Sequence, residues 1–296
     1  MDGERGEPET RGKELTSRPS GRVRIGTSGW RYPRWRGDFY PRGLVQRREL
    51  EYIGANFSTV ELNGSFYSLQ RPASYQSWRE SVPEDFVFAV KGSRYVTHML
   101  RLRDVDTALA NFFASGVLAL GASLGPVLWQ LPERQEFDPE VLDAFLAGLP
   151  RSTGAALELA RRHDDRLRGR AWLETDEDRP IRYAIEPRAE SFRGASEILR
   201  DHDVAMVAAD TAGRFPRFDT LTTDFAYVRL HGAQELYSSG YTPTEIDAWA
   251  ATVDRLARGS ADESPRDVYV YFDNDARGHA PHDALALVAK TASGTV

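Results

Sequence analysis

Short apolar runs recur along the chain at RVRIG (22–26), TVELN (59–63), FVFAV (86–90), PVLWQ (126–130), RYAIE (182–186), VAMVAA (204–209), AYVRL (226–230) and VYVYF (268–272). They are rich in β-branched and aromatic residues, as strands buried on at least one face are. Longer stretches between them carry apolar residues three and four apart: RRELEYIGANF (47–57), PASYQSWRESV (72–82), DTALANFFASGVLAL (106–120), DPEVLDAFLAGL (138–149), GASEILRDH (194–202), TPTEIDAWAATVDRLA (242–257) and HDALALVAK (282–290). That spacing predicts helices, and several begin on Asp, Thr or Pro, as helix starts do. Eight strands with crossover helices predict an α/β fold, a single (β/α)8 barrel. Two stretches break the rhythm. TAGRFPRFDTLTT (211–223) has no helical period, so the sixth helix is expected to be weak or missing. GAALELARRHDDRLRGRAWLE (154–174) predicts an extra helical segment before the fifth strand.

In a barrel, successive side chains of a strand point alternately to the axis and to the helices. The bulky set is assigned to the helix side: Val23, Ile25, Val60, Leu62, Phe88, Val90, Val127, Trp129, Tyr183, Ile185, Val228, Leu230, Val270 and Phe272. The opposite face then ends in a polar residue on every strand. These residues are Ser28, Glu61 with Asn63, Lys91, Gln130, Glu186, Asp210, Arg229 with His231, and Asp273. Small residues, Gly26, Ala89, Ala184 and Ala208, lie one step below several of them. The carboxyl ends of barrel strands carry the active sites of this architecture. Core packing alone does not account for eight strands that end alike.

Composition narrows the picture. A length of 296 residues suits one large barrel, and 41% hydrophobic with 28% charged residues suits a globular protein with a real core. The net charge of −6 argues against an extended nucleic-acid footprint, so nucleic acid is a possible but not a favoured partner. The absence of cysteine excludes disulfides, thiolate metal sites and cysteine nucleophiles. No apolar run spans a bilayer and nothing resembles a signal peptide, so no membrane partner and a cytoplasmic location are expected. Residues 1–21, charged and rich in Gly and Pro, are expected to be a disordered tail. The barrel is expected over 22–290, with a loose end at 291–296. No pattern sets an oligomeric state.

Seven motifs carry a resemblance: IGTSGW (25–30), WRGDFYP (35–41), TVELNGSFY (59–67), FAVKGSRYVTH (88–98), LGPVLWQLP (124–132), YVRLHG (227–232) and YFDND (271–275). Together they resemble the DUF72 family of YecE-like proteins, from about residue 22 to 290. The resemblance implies a TIM barrel and no particular reaction. The chain departs from the family at IEPRAESF (185–192), where the family has a Glu-Phe-Arg-His-like run. Glu186 and Arg188 are retained, while Pro187 and Ala189 replace an aromatic residue and a frequent histidine. No histidine role is expected there.

The polar ring sets the candidate chemistry. Glu61, Glu186, Asp210 and Asp273 bring four negative charges, Lys91, Arg188 and Arg229 three positive ones, and His231 titrates. Buried charges at this density must pair or be ligated. Glu61, Glu186, Asp210, His231 and Asp273 are therefore candidate acid/base catalysts. Lys91, Arg188 and Arg229 are expected to clamp an anionic small molecule through its phosphate or carboxylate. Ser28, Trp30, Asn63, Tyr67, His98, Gln130 and Asn274 are further candidate contacts. In the first loop (28–44), Trp30 is assigned to the ligand beside Ser28, and Trp35, Phe39 and Tyr40 to a cluster closing the rim. Arg229 needs a carboxylate from Glu186, Asp210 or Asp273, and its five N–H groups are expected to leave donors for the ligand. No organic cofactor is expected. A divalent metal is the sharper alternative, with Glu61, Glu186, Asp210, His231 and Asp273 as ligands. It would make the protein a metal-dependent phosphoester hydrolase or nuclease-like enzyme, although the ring cations compete for the same carboxylates. A non-catalytic ligand-binding protein and a structural ion-pair plug complete the alternatives.

Overall fold

Each apolar run forms a strand, and the strands are all parallel: β1 (Val23–Ser28), β2 (Thr59–Leu62), β3 (Val87–Lys91), β4 (Leu124–Gln130), β5 (Tyr183–Glu186), β6 (Val204–Met206), β7 (Ala208–Asp210), β8 (Phe225–Leu230) and β9 (Asp267–Phe272). The structure, a computed structural model, describes residues 20–259 and 264–292. The expected tails fall largely outside these described residues. The strand order is β6-β5-β4-β3-β2-β1-β9-β8-β7. β6 and β7 are halves of one sixth strand parted at Val207. The first half bonds β5 and the second bonds β8. The chain running through Val207, whose N–H donates to Ile185 O at 2.9 Å, thus joins the two ends of the sheet into a nearly closed TIM-like barrel.

The helices are α1 (Glu49–Asn56), α2 (Gly64–Tyr67), α3 (Pro72–Glu80), α4 (Asp106–Ala114), α5 (Pro139–Ala147), α6 (Thr153–Ala160), α7 (Ser196–Asp201), α8 (Pro243–Arg258) and α9 (Ala280–Ala292). Their starts follow local chemistry. The Asp138 and Ser152 side chains accept from the Val141 and Ala155 N–H groups, and Thr242 with Glu245 forms a capping box on α8. Residues 211–224 contain no helix, and α6 is the extra segment before β5. No helix among the described residues is long and apolar enough to cross a membrane.

Two cores result. The larger lies between strands and helices and holds the bulky alternating set. The smaller fills the barrel with Ala89, Leu128, Ala184, Ala205, Val207, Ala209, Phe225, Tyr227, Tyr269 and Tyr271. All its aromatics come from β8 and β9, and they face the alanines of β3, β5, β6 and β7. Large side chains opposite small ones fill a round interior without voids. Gly26 serves the same closure, since a Cβ there would stand 2.0 Å from the Thr59 carbonyl oxygen.

One face assignment is corrected. On the sixth strand Ala205, Val207 and Ala209 line the interior, so Ala208 and Asp210 face the helices. Residues 204–209 are apolar throughout, so this strand has no alternation from which its phase can be read.

Candidate functional site

The alternation of β8 aims Tyr227 and Arg229 inward, and His231 follows before Gly232 turns the chain at φ 114°. Arg229 is fully buried. Its Nε and Nη2 donate to the two oxygens of Glu61 at 3.0 and 2.7 Å, a bidentate pair. Nη1 donates to Glu186 Oε2 at 2.7 Å and to His231 Nε2 at 3.2 Å. Nη2 also reaches Asp273 Oδ2 at 2.9 Å and Ser28 Oγ at 3.1 Å. All five N–H groups are thereby spent, which corrects the expectation that Arg229 keeps donors for a ligand. The expected partners are corrected too: Glu61 and not Asp210 joins Glu186 and Asp273.

The carboxylates differ in what else they hold. Glu61 also accepts from Ser28 Oγ at 2.5 Å and the Tyr227 hydroxyl at 2.7 Å, so both its oxygens are doubly occupied. Burial works against the charge on Glu186, but Arg229, His231 and Arg188 hold it well below the usual carboxylate range. Burial opposes ionisation of Asp273 as well, yet Arg229 and His231 bring it down to about 2. Asp273 keeps 18% of its side chain exposed and is the carboxylate of the three that meets solvent. A guanidinium only donates, so His231 Nε2 accepts from Arg229 and the proton of a neutral ring sits on Nδ1. That Nδ1 lies 3.1 Å from Asp273 Oδ2, close enough for a charge contact but angled away from a hydrogen bond.

A second group of cations faces the same end without such saturation. Lys91, at the end of β3, places its Nζ 4.5 Å from the centre of the Phe66 ring and makes no ion pair or hydrogen bond through it among the described residues. Arg188, 14% exposed, lies over Phe215 at 4.5 Å, donates to the Tyr237 hydroxyl at 2.8 Å and reaches Glu186 only at 3.5 Å. Its Nε is enclosed and has no partner. His98 sits on the π turn Tyr95–Met99 against Phe66. Its partial burial, and then the charges of Arg94, Lys91 and Arg188, push it down to about 4. Tyr237 covers His231 edge-on at 5.2 Å from a left-handed backbone, φ 63°, a strained conformation for a bulky residue.

The remaining predicted residues fall in several places. Asp210 accepts from the Tyr241 hydroxyl at 3.1 Å, outside the Arg229 network. Trp30 packs edge-to-face on Trp78 of α3, within the outer core and not at the mouth. Asn274 is buried and donates to Asp283 and the Ser239 carbonyl, tying β9 to α9. Tyr67 is 70% exposed. Asn63 donates to Ser28 Oγ at 2.9 Å, while its Oδ1 is enclosed without a partner. Gln130 is buried beside Glu186 in the β4–β5 register. Trp35, Phe39 and Tyr40 form an aromatic cluster, and the Trp35 indole donates to Asp275. Asp275 was missed by sequence reasoning. Burial and then the charge of Asp273 raise its carboxyl to about 7. The signal was its place two residues after Asp273 in YFDND. Phe66, on the short helix α2, was also missed.

Among the described residues no group of three His, Asp or Glu side chains is arranged to hold a metal ion. The Arg229 guanidinium stands where the carboxylates of β2, β5 and β9 converge, and its N–H groups take their inward oxygens. Open grooves of about 500 and 550 Å³ between residues 101–106 and α5 lie apart from this cluster and hold an exposed Arg103–Asp138 pair.

The family profile described as "Protein of unknown function DUF72" matches residues 24–295. The UPF0759 protein YecE of Escherichia coli is 27% identical over 188 residues, covering 58% of this chain and 65% of the relative, which is less than two thirds of its length. The UPF0759 protein YunF of Bacillus subtilis is 32% identical over 78 residues, 25% of this chain and 26% of that one. A DUF72 family protein of Thermotoga maritima has a solved structure that superposes with a TM-score of 0.71 at 26% identity, over 90% of this chain and 98% of the other. A DUF72 family protein of Enterococcus faecalis superposes at 0.68 with 16% identity, over 91% and 95%, and supports the fold alone. With a profile match that spans the whole barrel, the chain belongs to the DUF72 family.

Proposed function

We propose that this barrel is an enzyme performing acid/base chemistry on an anionic small molecule, phosphorylated or carboxylated, at the carboxyl ends of its strands. The supporting observation is the division of its cations. Arg229 is consumed by three carboxylates, while Arg188 keeps an enclosed, unpartnered Nε and the Lys91 amine faces the Phe66 ring. A desolvated guanidinium with unspent donors suits a planar carboxylate or a phosphate. The anion clamp is therefore Arg188 with Lys91, and Arg229 serves as the fixed counter-charge behind it. Asp275, which burial raises to about 7, is the group placed to move a proton near neutral pH, and His231 Nδ1 lies 3.1 Å from Asp273 beside it.

A melting scan tests this reading with phosphate, sulfate, small sugar phosphates and dicarboxylates, on wild type and Arg188→Ala. A ligand at a hundred times its Kd adds about 2.7 kcal/mol to stability. The wild type should rise in Tm and Arg188→Ala should not. If no anion shifts the wild type, or if Arg188→Ala responds as the wild type does, the proposal fails.

A further inference from the structure

Lysine is scarce in this chain. Lys13, Lys91 and Lys290 are the three lysines among its 38 Lys and Arg residues. Lys13 lies outside the described residues, and Lys290 is an exposed partner of Asp247 at 2.7 Å. Lys91 alone of the two described lysines is enclosed, 8% exposed, at the end of a barrel strand. A chain that takes arginine for almost every positive charge has lysine where the side chain meets the candidate site. The two differ in one respect that matters here: arginine stays protonated in proteins, and lysine can release its proton and become a nucleophile.

The surroundings favour that release. No carboxylate or hydrogen-bond acceptor holds Nζ among the described residues, and the ring of Phe66 lies 4.5 Å from it. Burial lowers the pKa of Lys91 and the neighbouring Arg229 charge lowers it further, against the weaker upward pull of Glu61, Asp273 and Glu186. Glu61, Glu186 and Asp273 are held by Arg229, so none of them closes on the amine. His98 packs edge-on against the same Phe66 ring, 5.2 Å away.

We infer that Lys91 is an imine-forming amine, and that the anionic ligand carries an aldehyde or ketone, as a 2-oxo acid or a phosphorylated carbonyl compound does. The inference rests on the anion site proposed above and deepens it. In the step, the Nζ lone pair bonds to the carbonyl carbon and the C=O π pair passes to oxygen, which takes up a proton. That oxygen then leaves as water, which carries off in net both amine hydrogens, and a C=N bond remains. No oxidant or reductant is consumed. Arg188 would hold the carboxylate or phosphate, and the protonated imine would draw electrons from the adjacent carbon, where a neighbouring base can take a proton.

Reductive trapping tests the inference in the full wild-type chain, with Lys290 as the internal reference. The protein is mixed with glyoxylate or pyruvate and borohydride at about pH 7, where roughly one unshifted lysine amine in 2,500 is neutral. Peptide mass spectrometry then counts carboxymethyl- or carboxyethyl-lysine at each position. Lys91 should be labelled severalfold faster than Lys290, since an amine that burial lowers is neutral more often. Inorganic phosphate should protect Lys91 and leave Lys290 unaffected. Labelling of Lys91 no faster than Lys290 by every probe overturns the inference, even where phosphate raises the Tm and the anion site stands. Fast labelling by acetaldehyde as well as by the anions, with no protection by phosphate, upholds the reactive amine and removes the anion site.

Discussion

Arg229→Ala removes the counter-charge at the centre of the barrel and leaves Glu61, Glu186 and Asp273 in place. Glu61 keeps the Ser28 and Tyr227 hydroxyls, Glu186 keeps Arg188 at 3.5 Å and His231, and Asp273 keeps His231. Breaking one buried pair costs about 3–5 kcal/mol. Three broken pairs do not cost three times as much, because a carboxyl that loses its cation can take up a proton, at about 1.4 kcal/mol per pH unit. The expected loss at neutral pH is therefore on the order of 5 kcal/mol. Its pH dependence follows from the shifts. Asp273 falls from 3.8 to about 2 in the folded wild type, and Glu186 also lies below its ordinary value. Carboxyls depressed by folding stabilise above their unfolded pKa, and the gain is lost as pH falls through the folded value. For Asp273 that gain is about 2–3 kcal/mol, lost between about pH 4 and pH 2. In Arg229→Ala burial acts with less opposition and raises the same groups, so the variant weakens as pH rises through their new values. The gap between the two proteins should be widest near neutrality and close toward about pH 3. Urea unfolding followed by tryptophan fluorescence and circular dichroism, with midpoints compared at a common slope, measures it. A gap below about 1 kcal/mol at neutral pH, or one of equal size at about pH 4 and pH 7, refutes the reasoning.

Asp210→Asn should cost about 1 kcal/mol or less, since an asparagine oxygen can still accept from Tyr241, and it should leave any phosphate-induced rise in Tm unchanged. Gly26→Ala drives a Cβ to 2.0 Å from the Thr59 carbonyl oxygen, so β1 and β2 must part. A loss of at least about 3 kcal/mol is expected in urea unfolding, and near-wild-type stability would contradict the close strand approach.

The barrel was legible because most strands carry a phase. Val228 and Leu230 fix the helix side of β8, so Tyr227 and Arg229 must face inward, as they do. The sixth strand carries no phase, and Asp210 went to the wrong face for that reason alone. Alternation also gives which way a side chain leaves its strand but not how far a long one reaches. Arg229 crosses the interior to Glu61 on β2, a partner that strand adjacency did not suggest. The count of donors was right, but the count of acceptors within reach is a tertiary fact. Trp30 went to the core because Trp78, from a helix 48 positions on, offers its ring a packing partner. The raised carboxyl of Asp275 likewise depends on burial beside Asp273 and Trp35, which no local pattern encodes.

The Arg229 network also has a consequence for how the chain is made. Its partners lie 168 residues back at Glu61, 201 back at Ser28, 43 back at Glu186 and 44 ahead at Asp273. A nascent chain has synthesised β1, β2 and β5 long before the guanidinium that neutralises them exists. Any compact intermediate formed in that interval must keep Glu61 and Glu186 wet or protonated, so the barrel interior cannot dry early. Its dehydration waits for the last quarter of the sequence, and contacts of such long separation favour slow, all-or-none closure over stepwise assembly of half-barrels.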